Sequence, residues 1–401
     1  MWNRLLDRAL KRMIHLGALD VTLPDGTRRH YGPGGDTGPR ASIVLTGDDT
    51  ARRLVIDPEL ALGEAYMDGH LTIAGDDLHG FLELVIRNIR DFGEGRPGRA
   101  LRTLRHLARR LSQHNPAKRS RANVAHHYDL SAKLYDLFLD EDRQYSCAYF
   151  RDPGDTLEAA QAQKKAHIAR KLRLEPGMSV LDIGCGWGGM ALTLARDHGV
   201  RVQGITLSEE QLKIARARAE AAGVTDRVRF DLLDYRAVEG RFDRIVSVGM
   251  FEHVGAPQFR TYFRTVKRLL APDGIALIHT IGRESPPGTT NPWIVKYIFP
   301  GGYIPALSEV MAAIEHESLA TADVEVWRLH YAYTLRHWHD RFMARRAEAS
   351  ALYDERFVRM WKFYLVSSEQ TFRHWGNVVF QIQLAHDPGT VPITRDYLYA
   401  D

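Results

Sequence analysis

The sequence predicts an α/β protein, with a doubly wound and mostly parallel sheet that follows a small N-terminal α+β domain. Three observations support this fold class. Apolar, strand-like segments alternate with helical segments from about residue 178 onward, which is typical of parallel sheets. A glycine-rich turn joins the first of these strands to the helix that follows it. The first 95 residues instead combine an amphipathic helix with short strand-like segments that Gly, Pro and Asp interrupt.

The N-terminal residues 1–95 are predicted to form a separate small domain. Its first helix has one apolar face, because apolar side chains recur at spacings of three and four residues: Trp2, Leu5, Leu6, Ala9, Leu10, Met13 and Ile14. The next strand-like segments are ALDVTLPDG, ASIVLTGDD and RRLVIDP, and the helical or mixed ones are LALGEAYMDGHLTI and LHGFLELVIRNIR. Together they predict an α+β domain that ends near Gly95.

Composition excludes several classes of protein. A chain of 401 residues is long enough for about two to three domains. The net charge of +4 is small for this length, which argues against a dedicated nucleic-acid binder. Two cysteines form neither a disulfide framework nor a four-cysteine zinc site, and no metal site is predicted. Without a long apolar run or a secretory signal, we expect a cytoplasmic protein.

A basic segment follows the N-terminal domain. Nine basic and no acidic residues lie between Arg96 and Asn123, so the rest of the chain has a net charge of −5. Leucines recur there at helical spacing, which predicts a basic helical linker over residues 96–125. Such a helix suits an anionic membrane surface, and we expect the arm 96–121 to dock there. The alternative is a solvated helix between domains. Nucleic acid is less favoured, because no aromatic residue is available to stack a base.

From residue 126 onward the pattern is α/β. The predicted strands are MSVLDIG, VRVQGITL, VRFDLLDY, FDRIVSVGM, GIALIHTIG and, near the end, WGNVVFQIQLA. The helix MALTLARDHG closes at Gly199. A second helix follows Ser208, which is expected to form a capping box with Gln211. Residues 290–375 are helix-like and rich in aromatic side chains.

The motif VLDIGCGWGG indicates a binding loop. Gly184, Gly186 and Gly188 follow an apolar strand and precede a helix, so the backbone can approach a ligand closely. The spacing is G-x-G-x-G instead of the dinucleotide pattern G-x-G-x-x-G. The motif resembles class I S-adenosylmethionine-dependent methyltransferases, in which the loop accommodates the amino-acid part of the cofactor. The alternative is a tight turn without a ligand.

The chain resembles one family more specifically, the cyclopropane fatty acyl phospholipid synthases and the related mycolic acid cyclopropane synthases. Ordered blocks carry the resemblance: AHHYDLSAKLYDLFLDEDRQYSCAYF, VLDIGCGWGG, GITLSEEQ, FDRIVSVGMFEHVG, ALIHTIG, PWIVKYIFPGG and YAYTLRHWHDRF. The resemblance implies a seven-stranded, Rossmann-like methyltransferase sheet in a catalytic domain over residues 126–401. It also implies a helical lid over about 290–375. The N-terminal domain is similar to the lipid-binding domain of the phospholipid-acting branch.

The resemblance assigns the cofactor-binding residues. Thr206 and Gln211 would replace the acid with which most of these methyltransferases bind the ribose, and Leu207 lies between them. Asp234 and the adjacent Tyr235 would contact the adenine. The remaining assigned residues fold over the cofactor or belong to its loop: Tyr128, Tyr145, Ser146, Gly184, Gly186 and Gly188.

The resemblance also implies a bicarbonate ion in the active site. Its ligands would be Cys147, Glu252, His279, the backbone of Ile281, and Tyr331, for which Tyr333 is a rival. Each has an alternative interpretation as a core or rim residue. Methyl transfer to an isolated double bond leaves a carbocation, and ring closure then requires a base, which bicarbonate would supply. Aromatic faces for the cation would come from the lid: Trp293, Tyr297, Phe299, Tyr303, Phe363 and Tyr364.

We therefore expect an enzyme that transfers a methylene group from S-adenosylmethionine to the cis double bond of an unsaturated phospholipid acyl chain at the inner membrane face. The resemblance also implies a homodimer. Three alternatives remain open. They are a methyltransferase that leaves methyl- or methylene-branched chains, an amine N-methyltransferase similar to the plant alkaloid enzymes, and a membrane-binding module without catalysis.

Overall fold

The computed structural model describes residues 1–33, 38–92, 113 and 132–399. The α-helices, in chain order, are α1 (Trp2–Met13), α2 (Thr50–Ile56), α3 (Pro58–Met67), α4 (Leu78–Phe92), α5 (Ala132–Tyr135), α6 (Leu157–Leu172), α7 (Gly189–His198), α8 (Glu209–Ala221), α9 (Phe259–Leu269), α10 (Pro292–Tyr297), α11 (Leu307–His316), α12 (His330–Ala344), α13 (Arg346–Leu352) and α14 (Glu355–His374). The strands are β1 (Ala18–Thr22), β2 (Arg28–Tyr31), β3 (Arg40–Leu45), β4 (Leu71–Ile73), β5 (Ser179–Ile183), β6 (Arg201–Thr206), β7 (Val228–Leu232), β8 (Phe242–Val248), β9 (Leu270–Arg283), β10 (Ala320–Trp327) and β11 (Asn377–Ala385).

The elements form two compact units, and the first contains the N-terminal elements. It comprises the described residues of Met1–Arg109 together with Thr289–Ile298 and Leu335–Asn377. Its sheet has the order β2-β1-β3-β4, in which β1 and β3 are parallel and the other pairs antiparallel. Helices α3 and α4 pack against α14, and α3 also packs against α10. Helices from the late part of the sequence therefore complete the core of this unit.

The second unit contains the predicted doubly wound sheet. It comprises the described residues of Arg110–Gly288, Phe299–Thr334 and Val378–Asp401. The order of its seven strands is β10-β11-β9-β8-β5-β6-β7. The neighbouring pairs from β7 through β9 are parallel, whereas β10 and β11 pair antiparallel. This architecture confirms the predicted mostly parallel α/β sheet.

Adjacent residues of the central strands face opposite layers of this unit. In β5, Leu181 packs with α9 and α11, whereas Val180 packs with α6, α7 and α8. Ile245 and Val246 of β8 divide in the same way. Both faces of the sheet are therefore buried, which explains why these strands read as continuous apolar runs.

Three local predictions were wrong or incomplete. The segment RRLVIDP was expected to be a strand but forms α2 and the residue that caps α3, where the Asp57 carboxylate accepts a hydrogen bond from Leu60 N. Strand β2 was not predicted. The segment 290–375 is mainly helical as expected, but it also contributes β10, which pairs along β11. Pairing with a neighbouring strand decided that conformation, which the composition of the segment alone did not indicate.

The predicted basic linker, residues 96–125, lies outside the described residues except for Gln113. The predicted domain boundaries therefore stay a prediction. Within the described ranges, no helix combines the length and the apolar composition that crossing a bilayer requires.

Candidate active site

A pocket opens where four parallel strands of the second unit end. The carboxyl ends of β5, β6, β7 and β8 all contribute to it, at the position in the sheet where the strand order reverses. Ligands bind at this edge in open α/β sheets. The lining residues are Arg143, Gln144, Tyr145, Ser146, Asp182, Ile183, Gly184, Cys185, Gly186, Trp187, Gly189, Met190, Ile205, Thr206, Leu207, Gln211, Leu233, Asp234, Tyr235, Arg236, Val248, Gly249, Met250, His253 and Val254.

The structure brings most of the predicted cofactor residues together in this pocket. Those that line it are Tyr145, Ser146, Gly184, Gly186, Thr206, Leu207, Gln211, Asp234 and Tyr235. Gly188 belongs to the same loop but is not among the lining residues. Tyr128 lies outside the described residues, so its assignment stays a prediction.

The glycines of the loop differ in what surrounds them. Gly184, Gly186 and Gly188 all have positive φ, at 85°, 54° and 84°. A Cβ at Gly186 would meet no atom within 4 Å, so the space beside this residue is open toward the pocket. A Cβ at Gly188 would lie 2.7 Å from the Phe230 ring. Gly186 therefore borders the ligand space, whereas Gly188 permits close packing against β7.

The end of β6 presents a pair of polar side chains. The Thr206 hydroxyl donates to Gln211 Oε1 at 2.9 Å, and both residues are buried. Ser208 caps α8 as predicted, because its Oγ accepts from Gln211 N at 3.2 Å. The Gln211 side chain bonds to Thr206, which leaves the predicted capping box half formed. Thr206 and Gln211 thus present a hydroxyl and an amide group to the pocket, and their role as ribose ligands stays a prediction.

Asp234 is held as a carboxylate at the end of β7. The Arg236 guanidinium donates to both of its oxygens at 2.7 Å, and Arg236 N donates at 3.0 Å. Burial opposes ionisation, but these bonds lower the pKa of Asp234 below its ordinary value. The Arg236 guanidinium also lies 5.1 Å from the centre of the Tyr235 ring. Arg236 was not predicted, although its position beside Asp234 was a signal for it.

Asp182, within the motif VLDIGCGWGG, is a buried acid that lines the pocket and was not among the predicted site residues. It is the penultimate residue of β5, it is 2% exposed, and burial raises its pKa to about 7. Its Oδ2 has no hydrogen-bond partner among the described residues. A buried carboxyl oxygen without a partner is costly, so this atom is available to a ligand in the pocket.

Glu252 lies directly beside the pocket, next in sequence to the lining residue His253. Its Oε1 accepts a hydrogen bond from Ile281 N at 2.6 Å, so the structure brings together these two predicted anion ligands. Its Oε2 is buried and has no partner in the described part of the chain. Burial raises the pKa of Glu252 to about 7. The carboxyl group can therefore hold or release a proton near neutral pH.

His279 and Cys147 are also adjacent to pocket residues. His279 is paired in the sheet with Val248, and its Nδ1 lies 3.0 Å from the Gln381 amide nitrogen, which donates to it. Burial lowers the pKa of His279 well below its ordinary value, so the ring is neutral and carries its proton on Nε2. Cys147 follows Ser146. Burial raises the pKa of its thiol, which therefore remains protonated.

Tyr331 lies in the first turn of α12 and is 8% exposed. One turn later, the Thr334 hydroxyl accepts from Ala148 N at 3.0 Å, which holds this helix against the segment that carries Cys147. Its rival Tyr333 packs edge-on against Phe150 at 5.6 Å. The helix is thus fixed beside the proposed anion ligands.

The six aromatic side chains predicted for the lid have different surroundings. Trp293 and Phe363 contact each other in the first unit, with ring centres 4.8 Å apart, and Trp293 also contacts Met67. In the second unit, the Phe299 ring lies 6.1 Å from that of the pocket residue His253. Tyr303 N donates to the Glu252 carbonyl at 2.9 Å. Phe299 and Tyr303 therefore adjoin the site, whereas Trp293 and Phe363 are packed as core residues.

The donor set fits both predicted ligands. An open glycine cradle, a hydroxyl–amide pair and two carboxyl groups line a pocket large enough for a nucleoside-like molecule. Beside it, the unpaired Glu252 oxygen and a neutral imidazole are suited to a small oxyanion that carries a proton, whereas the Cys147 thiol donates to the Ala148 carbonyl at 3.3 Å.

Family and sequence comparisons agree with this geometry. A family model described as mycolic acid cyclopropane synthetase matches residues 115–382, and a model of a domain of unknown function matches residues 5–95. A probable fatty acid methyltransferase of Pseudomonas putida is 38% identical, over 96% of this chain and 97% of that protein. The cyclopropane-fatty-acyl-phospholipid synthase of Escherichia coli (strain K12) is 42% identical, over 83% of this chain and 85% of that protein.

A solved structure of a relative also matches the fold. The crystal structure of the mycolic acid cyclopropane synthase CmaA1, complexed with S-adenosylhomocysteine and CTAB, has 33% sequence identity and a TM-score of 0.63. The match covers 68% of this chain and 99% of that one. A bound cofactor product in that relative agrees with the predicted S-adenosylmethionine pocket.

Proposed function

The chain belongs to the mycolic acid cyclopropane synthetase family of S-adenosylmethionine-dependent methyltransferases, and we propose that it forms cyclopropane rings in phospholipid acyl chains. In this reaction a methylene group is added across the cis double bond of an unsaturated chain. The observation that carries the proposal is the buried Glu252 carboxyl group, whose Oε2 is unpaired and whose pKa is raised to about 7.

S-adenosylmethionine supplies an electrophilic methyl group when bound, and bicarbonate supplies a base. The pocket residues Thr206, Gln211 and Asp234 would hold the nucleoside, and Asp182 would meet the amino-acid part. Glu252 Oε2 would accept the hydrogen bond of the anion's O–H, which orients the anion. The neutral His279 would donate from Nε2, and Cys147, whose thiol donates to the Ala148 carbonyl at 3.3 Å, would lie beside the anion. The buried surroundings exclude water from this set.

Ring formation distinguishes this proposal from simple methylation because it requires a base next to the added methyl group. The second candidate product is a methyl- or methylene-branched chain, which the similarity to the fatty acid methyltransferase of Pseudomonas putida favours. The first half-reaction would be the same in both cases. The fate of one proton separates the two products.

The test is product analysis. The full-length protein would be incubated with labelled S-adenosylmethionine and vesicles of an unsaturated phospholipid. We expect label in the acyl chains, a mass increase of one methylene, and the high-field proton signals of a cyclopropane ring. Vinylic or branched-methyl signals would contradict ring formation, and methylation of a soluble amine without lipid labelling would contradict the lipid substrate.

The phospholipid substrate and the membrane location are further parts of the proposal. They are supported by the name of the Escherichia coli relative and by the basic segment between residues 96 and 121. Each Lys or Arg that lies near an anionic membrane surface contributes about 1 kcal/mol to the binding free energy. We propose that the enzyme acts from the cytoplasmic side on lipids of the inner membrane face.

The anion can be tested by its removal. In buffer freed of carbon dioxide, we expect the reaction rate to fall, and added bicarbonate should restore it. Sodium chloride at the same ionic strength is the control. The Glu252→Gln variant should lose this response. An amide has only one oxygen, so it cannot accept a hydrogen bond from Ile281 N and another from the anion's O–H with two separate oxygens, as the carboxylate does. A rate that does not depend on bicarbonate would remove the anion from the proposal.

A further inference from the structure

Lys164 is a buried lysine in α6 that the proposed reaction does not use. Its side chain is fully buried. Its Nζ donates to Gln144 Oε1 at 2.7 Å and to Ser146 Oγ at 2.8 Å. Both acceptors belong to residues that line the pocket. Lys164 therefore reaches the pocket wall from behind.

Gln161 contacts the same two residues from one turn earlier on the same helix face. Its amide nitrogen donates to the carbonyl oxygens of Gln144 at 3.2 Å and Ser146 at 3.0 Å. Hydrogen bonds from α6 thus fix both the backbone and the side chains of this segment. Tyr145, between the two anchored residues, packs against Tyr135 at 5.2 Å and lines the pocket.

The partners of Lys164 carry no charge. Among the described residues, no carboxylate lies within salt-bridge distance of its Nζ, although lysines in such positions are usually paired. Burying an ammonium group without an ion pair is costly. A role at the pocket explains a lysine at this position more readily than a contribution to stability does.

The charge of Lys164 acts on the groups of the active site. Burial lowers the pKa of Lys164 itself to about 8. Asp140, Asp142 and Cys147 oppose this decrease, and Lys165 adds to it. Burial is the largest influence on the pKa of Asp182, Cys147 and His279. It raises the pKa of the first two and lowers that of His279, and the Lys164 ammonium lowers the pKa of all three. The ammonium that the hydrogen bonds hold at Gln144 and Ser146 therefore also acts electrostatically on the pocket residue Asp182 and on the proposed anion ligands.

We propose that Lys164 is a positioning residue of the cofactor pocket. Its ammonium group holds Gln144 and Ser146 in the geometry that binds S-adenosylmethionine. The proposal deepens the proposed function. It rests on cofactor binding by the pocket and does not depend on the ring-forming product. A binding measurement without lipid therefore tests it separately from the reaction.

The main test is the Lys164→Met variant of the full chain, with the dissociation constant for S-adenosylmethionine measured by calorimetry. We expect affinity to fall at least tenfold. The matched control is Lys171→Met. Lys171 is equally buried in the same helix, but its Nζ bonds to Glu325, which does not line the pocket. The control should lower the denaturant midpoint and leave the affinity within twofold of the parent.

A double-mutant cycle shows whether Lys164 acts through Ser146. If it does, the dissociation constant of the double variant, Lys164→Met with Ser146→Ala, should rise by less than the product of the two single-variant fold-changes. A rise equal to that product would overturn the proposal. So would parent-like affinity in a folded Lys164→Met, or the same loss in Lys171→Met.

A third variant keeps the test decisive if Lys164→Met does not fold. Gln161→Leu removes the backbone anchors of the same segment while it leaves the ammonium in place, and Gln161 does not line the pocket. We expect this variant to bind S-adenosylmethionine severalfold more weakly. Unchanged affinity would show that anchoring of this segment does not position the cofactor.

Discussion

Glu252, which we propose as an anion ligand, carries a cost in stability at high pH. Its pKa in the folded protein, about 7, lies above its ordinary value of 4.5 because the carboxyl group is buried. A bound proton therefore stabilises the folded state. That contribution is fully present below about pH 4.5 and is lost as the pH rises through about 7.

We predict that Glu252→Gln makes the ligand-free protein more stable at about pH 8.5, by about 1–3 kcal/mol, because it removes a buried charge. The gain should shrink toward about pH 4, where the carboxyl group is protonated in both states. Urea unfolding at the two pH values measures this. A loss of stability at high pH would contradict the assignment of a buried, unpaired oxygen.

The same substitution should lower turnover by about 100-fold or more, because the anion loses its oriented acceptor. The Michaelis constant for S-adenosylmethionine should change little, since Glu252 does not line the pocket. Glu239→Gln, at an exposed position, is the control. Unchanged turnover in Glu252→Gln would remove this residue from the active site.

Alanine substitutions at two glycines of the loop, Gly186 and Gly188, should have different effects. We predict that Gly186→Ala weakens S-adenosylmethionine binding, because its Cβ enters open space at the pocket. Its positive φ should cost about 1–2 kcal/mol of stability. Gly188→Ala should lower stability further, because its Cβ would lie 2.7 Å from the Phe230 ring. Calorimetric affinity and the urea midpoint of both variants measure this. Equal losses of stability in the two variants would contradict the conclusion that Gly188, and not Gly186, is closely packed against Phe230.

At the scale of elements, an ion-pair network joins α6 to β10. His167 Nε2 lies 2.7 Å from Glu325 Oε2, and Lys171 Nζ bonds to the same oxygen at 2.5 Å. Burial opposes ionisation of Glu325, but the His167 hydrogen bond and the Lys171 charge together lower its pKa to about 2. Its contribution to stability is therefore present at neutral pH and is lost as the pH falls from about 4.5 toward 2.

We predict that Glu325→Gln lowers the free energy of unfolding at pH 7 by about 1.5–3 kcal/mol, because it removes the hydrogen-bonded counter-charge of the buried Lys171 and leaves it only Asp323 Oδ2, at 3.6 Å. The control is Glu348→Gln, which removes an exposed ion pair with Arg345 and should change stability by about 0.5 kcal/mol or less. Urea unfolding of both variants at pH 7 measures the difference. Equal effects in the two variants would contradict a buried network.

The helices and strands that the sequence predicted correctly are those whose apolar pattern is long and regular. Strands β5, β6 and β8 are buried on both faces, and their continuous apolar runs predicted them. Short segments were ambiguous. RRLVIDP contains three consecutive apolar residues that suit either conformation, and the Asp57 cap and Pro58 favour helices there.

At the scale of the whole molecule, the late helices belong to the N-terminal unit. Glu64 of α3 is buried, and it accepts hydrogen bonds from Lys296 at 2.7 Å and Tyr297 at 2.8 Å. The Gly63 backbone approaches the Trp293 ring so closely that a Cβ would lie 2.5 Å from it. These contacts join residues more than 200 positions apart, so sequence periodicity did not reveal them.

The basic segment is the other feature of whole-molecule scale. We predict that replacing Arg102, Arg105, Arg109 and Arg110 with Gln weakens binding to anionic vesicles, by about 1 kcal/mol per residue at low salt. The control neutralises four exposed arginines elsewhere, Arg201, Arg229, Arg241 and Arg260. Vesicle co-sedimentation at two salt concentrations measures this. Equal binding by both variants, or no salt dependence in the parent, would contradict the docking role.

The sequence by itself determined the fold class, the glycine loop and most of the cofactor pocket. It did so because motif spacing and apolar runs are local properties of the chain. Only the tertiary structure placed Glu252 Oε1 on Ile281 N, and the Lys164 ammonium on Gln144 and Ser146. Burial and pairing of charges depend on which distant segments meet, and these determine the pKa values on which the chemistry depends.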